Sequence, residues 1–345
     1  LLVTGGAGFI GSNFIIERLK NSSENIINLD KLTYAAKLNN LSKIKDLKTY
    51  KFVKGDIGDK ELIDTILKEE NPRAIINFAA ETHVDRSIVN PEEFLQTNII
   101  GTFRLLNSSK KYWGTLNEEK KLGFRFLHVS TDEVFGSLDQ NEPPFDETNP
   151  YKPNSPYSAS KAASDHLARS YFHTYKMPIL ITNCSNNYGP YQLPEKLIPM
   201  IILKSLALKK IPIYGDGKNV RDWLFVNDHC NAINVVLDKG IPGDVYCIGG
   251  LNEKKNIEIA NIICDILDEL LPIKNQNISS YRDLINYVSD RPGHDKRYAI
   301  DPSKIINNLN WEPKETFESG IRKTVKWYLN NQQWMQDFID INYYQ

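Results

Sequence analysis

The 345-residue sequence has no uninterrupted apolar run of about eighteen residues, so no membrane-spanning helix is expected. It also lacks a secretory signal, internal repeats and low-complexity tracts. Only four cysteines occur, Cys184, Cys230, Cys247 and Cys264, each in an apolar segment and none in a C-x-x-C pair. That spacing supplies neither a disulfide framework nor a metal-ligand grouping. Buried free thiols in a reducing, cytoplasmic compartment are expected, with no metal. A surplus of charge is missing too: 42 Lys and Arg stand against 43 Asp and Glu, for a net charge of −1. The chain therefore offers no general attraction to nucleic acid or an anionic membrane, and neither is expected as a partner. An anionic ligand has to be held by a few placed cations. The chain begins at Leu1, without methionine and inside an apolar strand, so a few native residues are expected to precede it.

What is present is the composition of a soluble globular protein, 41% hydrophobic and 25% charged, with an ample core. Apolar runs predict strands at Leu1–Thr4, Ile26–Leu29, Tyr50–Lys54, Ala74–Ala79, Phe124–Ser130 and Ile179–Asn183. Helical periodicity separates them at Gly11–Lys20, Lys60–Glu69, Pro91–Trp113 and Tyr157–Tyr175. Alternation of this kind predicts an α/β fold, a doubly wound parallel sheet of the Rossmann type, with ligands beyond the carboxyl ends of the strands. After about Asn186 the pattern loosens, with helices expected at Leu197–Leu208 and Ile257–Leu271. We expect a dinucleotide-binding domain over 1–185 and a smaller substrate-binding domain over 186–345, with some chain returning to the first. The segments Ile211–Gly217 and Asp290–His294 read as binding loops, and Gly114–Leu122 as a solvated loop insertion.

Gly5, Gly8 and Gly11 lie between the first strand and the first helix. In such a turn the first glycine permits a tight bend, the second lets a diphosphate approach the backbone, and the third lets helix and strand pack closely. The diphosphate then rests on the helix N-terminus. Asp30, nineteen residues after Gly11, ends the second strand. A carboxylate there accepts hydrogen bonds from an adenosine ribose and repels a 2′-phosphate, which favours NAD over NADP.

Tyr157 and Lys161 lie four residues apart, one turn from each other on one helical face. A phenol titrates near ~10, so service as a base at neutral pH needs a drop of roughly three units, about 4 kcal/mol. The Lys161 ammonium and a positive nicotinamide ring are charges of the right sign to supply it. Earlier, a strand runs into Thr131-Asp132-Glu133. On a regular strand the two carboxylates would point to opposite faces, whereas a bend at the strand end would bring both to one substrate. Close carboxylates push their pKa values apart, leaving an acid and a base, the division of labour that elimination of water requires.

With the glycine motif, Tyr157 and Lys161 resemble the extended short-chain dehydrogenase/reductase superfamily over nearly the whole chain. The segments Glu81–Ser87 (ETHVDRS), Thr131–Val134, Cys184–Pro190 (CSNNYGP), Asn219–Trp223 (NVRDW) and Asp290–His294 (DRPGH) narrow this to the nucleotide-sugar 4,6-dehydratases. Thr82 and Phe135 depart from the serine and tyrosine expected of bacterial members. The resemblance implies that Tyr157 takes the sugar's 4-hydroxyl proton, with Thr131 hydrogen-bonded to that hydroxyl. Glu133 then removes the C5 proton, Asp132 protonates the departing C6 hydroxyl, and a tightly bound NAD is regenerated in each turnover. It further implies an NAD site of Phe9, Ile10, Asp30, Lys31, Leu32, Thr33, Asp56, Ile57, Ala79, Ala80, Thr97, Tyr157, Lys161 and Asn187. His83, Asn186, Lys196, Leu197, Pro212, Tyr214, Arg221, Asn256, Arg291 and His294 would face the nucleotide sugar, with the arginine forks suited to a diphosphate. His83 reads equally well as a satisfied structural histidine.

The expected substrate is a nucleoside-diphosphate glucose, dTDP-glucose ahead of UDP-glucose. GDP-mannose is disfavoured because its dehydratases prefer NADP, which Asp30 opposes. A nucleotide-sugar 4-epimerase or decarboxylase of the same superfamily would need no carboxylate pair after Thr131, and an NAD-sensing binding protein would need no intact Thr131, Asp132, Glu133, Tyr157 and Lys161 set. Apolar residues beyond one face of the helices Pro91–Trp113 and Tyr157–Tyr175 suggest a homodimer through a four-helix bundle, as in the family.

Overall fold

The computed structural model describes residues 1–274 and 278–339. Twelve strands occur among them: β1 Leu2–Thr4, β2 Ile26–Asp30, β3 Tyr50–Lys54, β4 Ala74–Asn77, β5 Arg125–Thr131, β6 Ile179–Cys184, β7 Asn186–Tyr188, β8 Ile211–Tyr214, β9 Val220–Phe225, β10 Val245–Ile248, β11 Glu253–Lys255 and β12 Ile285–Val288. Seven form one parallel sheet in the order β10-β6-β5-β4-β1-β2-β3. Strands β1, β2, β4 and β6 are buried along their whole length, and β5 from Phe126 onward. Burial from both sides is why they read as continuous apolar runs. The order reverses between β1 and β4, which opens a crevice at their carboxyl ends. Strand β10, from the second half of the chain, pairs in parallel with β6.

The remaining strands build two small sheets, β11-β9-β7 and β12-β8. They accompany a second apolar core that includes Ile201, Ile263, Leu267, Val325 and Tyr328. Trp334, on the helix Gln332–Ile339, reaches back from there. Its Nε1 donates to Asn40 Oδ1 at 2.8 Å, and Asn40 Nδ2 donates to the Ala7 carbonyl at 3.2 Å. The far end of the described chain thus braces the glycine turn.

Three expectations need correction. Gly114–Leu122 is not a loop: a helix spans Glu118–Gly123, capped by Asn117, whose side chain accepts from Lys120 N at 2.9 Å. Its acidic first turn and basic last turn suit the helix dipole. The segment Ile211–Gly217 starts as strand β8 and only then turns, through Gly215 and Gly217 at positive φ. The helix expected over Pro91–Trp113 is broken into Pro91–Phe94, a π-helical stretch Leu95–Gly101, and Thr102–Thr115. In the widened turn, Asn98 donates to the Glu81 carbonyl at 3.0 Å and to Ser160 Oγ at 2.8 Å, and accepts from Glu81 N at 2.9 Å. That side chain ties the segment after β4 to the helix Pro156–Tyr175.

Candidate active site

The crevice begins at the glycine turn. Gly5 sits at φ +68°, where a side chain would be strained, and a Cβ on Gly11 would meet the Gly5 carbonyl oxygen. Gly8 caps the helix Phe9–Asn21 without any side-chain acceptor, so the first-turn amides remain free to meet an anion. Gly5, Gly8, Phe9, Ile10 and Gly11 line the cleft with Asp30, Lys31, Thr33, Asp56, Ile57, Ala79, Ala80, Thr97 and Asn187. Asp30 Oδ2 accepts from Ala7 N at 2.9 Å and Oδ1 from Leu32 N at 2.8 Å, which aims its carboxylate at the turn. Leu32 does not line the cleft; it bends the chain at φ 57°. A close-approach turn, free helix amides and a positioned carboxylate together fit NAD.

On the other side of the switch point, β5 ends at Thr131 and the chain passes at once into a 3₁₀ turn, Asp132–Phe135. Strand alternation stops there, and Asp132 and Glu133 line one cleft together with Thr131, Tyr157 and Lys161. Thr131 Oγ1 accepts from Glu133 N at 3.3 Å and donates to Asp132 Oδ1 at 3.2 Å, so one hydroxyl organises the bend. The helix Pro156–Tyr175 starts at a capping box between Ser155 and Ser158, with Pro156 at its first position. Lys161 lies one turn beyond Tyr157, and its ammonium donates to the Val129 carbonyl at 2.9 Å.

Burial comes first in every pKa shift at this site. Asp132 is pushed well above its ordinary value by burial, then by Glu133 and Asp222. Glu133 is also raised by burial, but Lys196, Arg291 and Arg221 pull it back. Asp132 is thus the more firmly protonated member, and Glu133 the one facing cations. The Tyr157 phenol is pushed well above its usual range by burial, Glu133, Cys184 and Asp132, and the Thr131 hydrogen bond opposes them. Lys161 is not among the groups that shift the phenol; burial and the neighbouring acids dominate it.

Of the ten expected sugar-side residues, His83, Leu197, Pro212, Tyr214, Arg221, Asn256, Arg291 and His294 do not line this cleft. Arg221 donates to the carbonyls of Val220 at 2.7 Å and Asp295 at 2.9 Å, and its guanidinium stacks 4.3 Å over the Tyr298 ring. Arg291 reaches Asp85 at 3.4 Å, and its Nε is buried with no hydrogen-bond partner among the described residues. His294 bonds Asp290 at 2.6 Å and meets Tyr214 edge-on. Pro212 and Tyr214 belong to β8, and Asn256 opens the helix Asn256–Leu270 with its Oδ1 buried. Asn186 and Lys196 line the cleft itself, Lys196 donating to the Thr82 carbonyl at 2.9 Å. Leu197 does not: it packs on the second core at the start of the helix Leu197–Leu206. His83 caps the helix Val84–Val89, accepting from Arg86 N at 3.3 Å. Burial and Lys196 push its pKa down to about 4, so it is neutral at neutral pH. Sequence reading missed Glu81, Gln192 and Glu195, which also line the cleft. Glu195 adjoins Lys196, but nothing in its local pattern distinguishes it from a solvated carboxylate.

The raised Asp132 has a consequence for stability. Its folded pKa exceeds the unfolded ~3.9, so its contribution is full below that value and is lost as pH rises toward the folded one. Asp132→Asn is therefore expected to melt at a higher temperature than the parent at neutral pH. The gap should close as the pH approaches ~4, as followed by thermal denaturation across pH.

The family described as GDP-mannose 4,6 dehydratase matches residues 2–324. A dTDP-glucose 4,6-dehydratase from Xanthomonas campestris pv. campestris (strain B100) is 55% identical over 342 residues, 99% of this chain and 96% of that one. Among solved structures, dTDP-glucose 4,6-dehydratase from Bacillus anthracis str. Ames in complex with NAD aligns with TM-score 0.85 at 48% identity, covering 96% of this chain and 97% of that one. The Streptomyces venezuelae enzyme of the same name, with NAD bound, gives 0.87 at 43% identity, covering 96% and 98%. The chain belongs to the GDP-mannose 4,6 dehydratase family of nucleotide-sugar enzymes, and its near relatives there are dTDP-glucose 4,6-dehydratases.

Proposed function

We propose that the protein dehydrates dTDP-glucose to its 4-keto-6-deoxy sugar, residues 1–185 carrying NAD and the catalytic groups and residues 186–345 most of the nucleotide-sugar contacts. The observation that carries this reading is the bend after Thr131, which brings two carboxyl groups of unequal acidity into the cleft that Tyr157 also lines. NAD, when bound, supplies oxidising power at C4 and returns it as reducing power at C6, ending each turnover as it began. Tyr157 would accept the 4-hydroxyl proton as a phenolate, a form that the positive ring of bound NAD would favour against the burial that raises it, and Thr131 hydrogen-bonds the same oxygen. Once C4 is a ketone the C5 proton is acidic, and Glu133, kept nearer ionisation by three cations, removes it. Asp132, held protonated, gives its proton to the C6 hydroxyl, which leaves as water. The bonds C5–H and C6–O break, and a C5=C6 double bond forms for the final reduction. Lys161 holds its charge beside this chemistry and the cofactor.

Lys196, Arg221 and Arg291 are the placed cations that a chain of nearly zero net charge needs for a diphosphate. Their joint influence on Glu133 supports one convergent cluster. The names of relatives at 55% identity favour dTDP-glucose over UDP-glucose. Four buried free thiols support a reducing, cytoplasmic location. Leu95, Ile100, Phe103 and Tyr175 stay exposed on the two long helices, which supports a homodimer through a four-helix bundle.

Purified protein incubated separately with dTDP-glucose and UDP-glucose is expected to convert the first to a product lighter by one water. Unchanged mass with both sugars overturns the assignment. Glu133→Gln is expected to lower turnover by ~10²–10⁴-fold while still oxidising C4, so reduced-nicotinamide absorbance builds up on the enzyme. Rapid turnover with no such absorbance removes Glu133 from the elimination. Sedimentation equilibrium is expected to return twice the 39.5 kDa chain mass, and a monomer at assay concentration ends the dimer proposal.

A further inference from the structure

Lys161 is 4% exposed, and the hydrogen bond its ammonium makes is to a neutral carbonyl, that of Val129. A buried cation of that kind loses its proton readily unless an anion shares the interior. Of the titratable groups near it, Tyr157 on its own helix, Asp132 and Glu133 in the turn after β5, and Cys184 on β6 line the same cleft, while Asp165 on its own helix and His128 on β5 are coupled to its charge. Burial holds Tyr157 and Asp132 well above their ordinary values, lifts Cys184 to about 12, and keeps His128 neutral. Asp165 is the one acid of this set held below its ordinary value, so it is the set's anion.

Asp165 is 2% exposed and stands one turn beyond Lys161 on the same helical face. Its Oδ2 accepts from Tyr151 OH at 2.9 Å and from Asn183 Nδ2 at 3.1 Å, and its Oδ1 lies 3.3 Å from His128 Nε2. His128 is itself held between Ser164 Oγ at 3.1 Å and Asn77 Nδ2 at 3.2 Å. Tyr151 from the segment before the helix and Asn183 from β6 therefore fix Oδ2, while Oδ1, beside the neutral His128, is buried with no hydrogen-bond partner among the described residues. The substrate-side carboxylates do not take this role, since burial drives Asp132 towards its neutral form and the charge of Glu133 is shared with Lys196, Arg291 and Arg221.

We infer that Asp165, held by Tyr151 and Asn183, is the counter-charge and positioning residue of Lys161, keeping the ammonium charged and aimed along the Tyr157 face of the cleft. The inference rests on the reading of Tyr157 and Lys161 given above and deepens it. Asp165 touches neither sugar nor cofactor and acts through the lysine.

The test uses the full chain with NAD bound. In Asp165→Asn, kcat is expected to fall by ~10-fold or more, the scale of one unit of pKa, with KM little changed. The alkaline limb of the kcat profile should move to lower pH, because an ammonium without its anion gives up its proton sooner. Asp165→Glu should restore part of both. In a Lys161→Met background, Asp165→Asn should cost no further turnover, since its route is already gone. An unmoved alkaline limb, or the same loss in that background, overturns the inference. A thermal comparison reads the charge pair without any turnover and stands even where Asp165→Asn alone does not fold. Lys161→Met leaves a buried anion uncompensated, so Lys161→Met/Asp165→Asn should melt at a higher temperature than Lys161→Met. The reverse order overturns the pairing. Retention of that order in a protein inactive on both sugars would instead locate the failure in the dehydration reading.

Discussion

The rest of the site depends on the change of backbone at Thr131. Five buried strand residues precede Thr131, and alternation along a strand would send neighbouring side chains to opposite faces of the sheet. By passing directly into a 3₁₀ turn, the chain abandons that alternation where the sheet opens to its crevice. Thr131 stabilises the bend with its own hydroxyl, which accepts from the Glu133 amide and donates to Asp132. Gly136 at φ 92° then lets the chain leave the turn, where a Cβ would meet the Lys152 carbonyl. A strand one residue longer would turn the two carboxyl groups away from each other.

Dryness supplies the chemistry that the bend makes reachable. Burial penalises the charged form of Asp132, Glu133, Tyr157 and Lys161 alike, so each departs from its ordinary value in the direction of neutrality. What distinguishes them is the second influence on each. Cations surround Glu133, carboxylates surround Tyr157, and Glu133 adds to the shift of Asp132. Unequal neighbours in a shared low-dielectric space separate the two carboxyl groups in acidity. Holding several uncompensated polar groups in that space costs stability, which is the usual state of a working site.

Much of this was legible before any coordinates. The glycine turn, the Asp30 carboxylate and the helix carrying Tyr157 and Lys161 follow from short-range pattern, and the expected strands β1 to β6 lie within two residues of those observed. Three features escaped. The helix Glu118–Gly123 carries its own cap and charge signals but too little apolar surface to show a period. The π-helical stretch Leu95–Gly101 depends on Asn98 meeting Glu81 and Ser160, contacts that no window of local sequence contains. Arg221 and Arg291 looked alike as chain residues, yet one is locked between backbone carbonyls while the other is held at an aspartate.

Periodicity, glycine placement and cap residues were enough to define the parallel sheet and its cofactor turn, because those features arise from residues a few positions apart. The direction in which Lys161 points, the protonation of Asp132 and the burial of Asp165 were settled only by folding. Each arises where segments distant along the chain, β5, β6 and the helix Pro156–Tyr175, exclude water from one another. Electrostatics in that interior depends on which charges end up near each other, a property that composition and spacing do not carry.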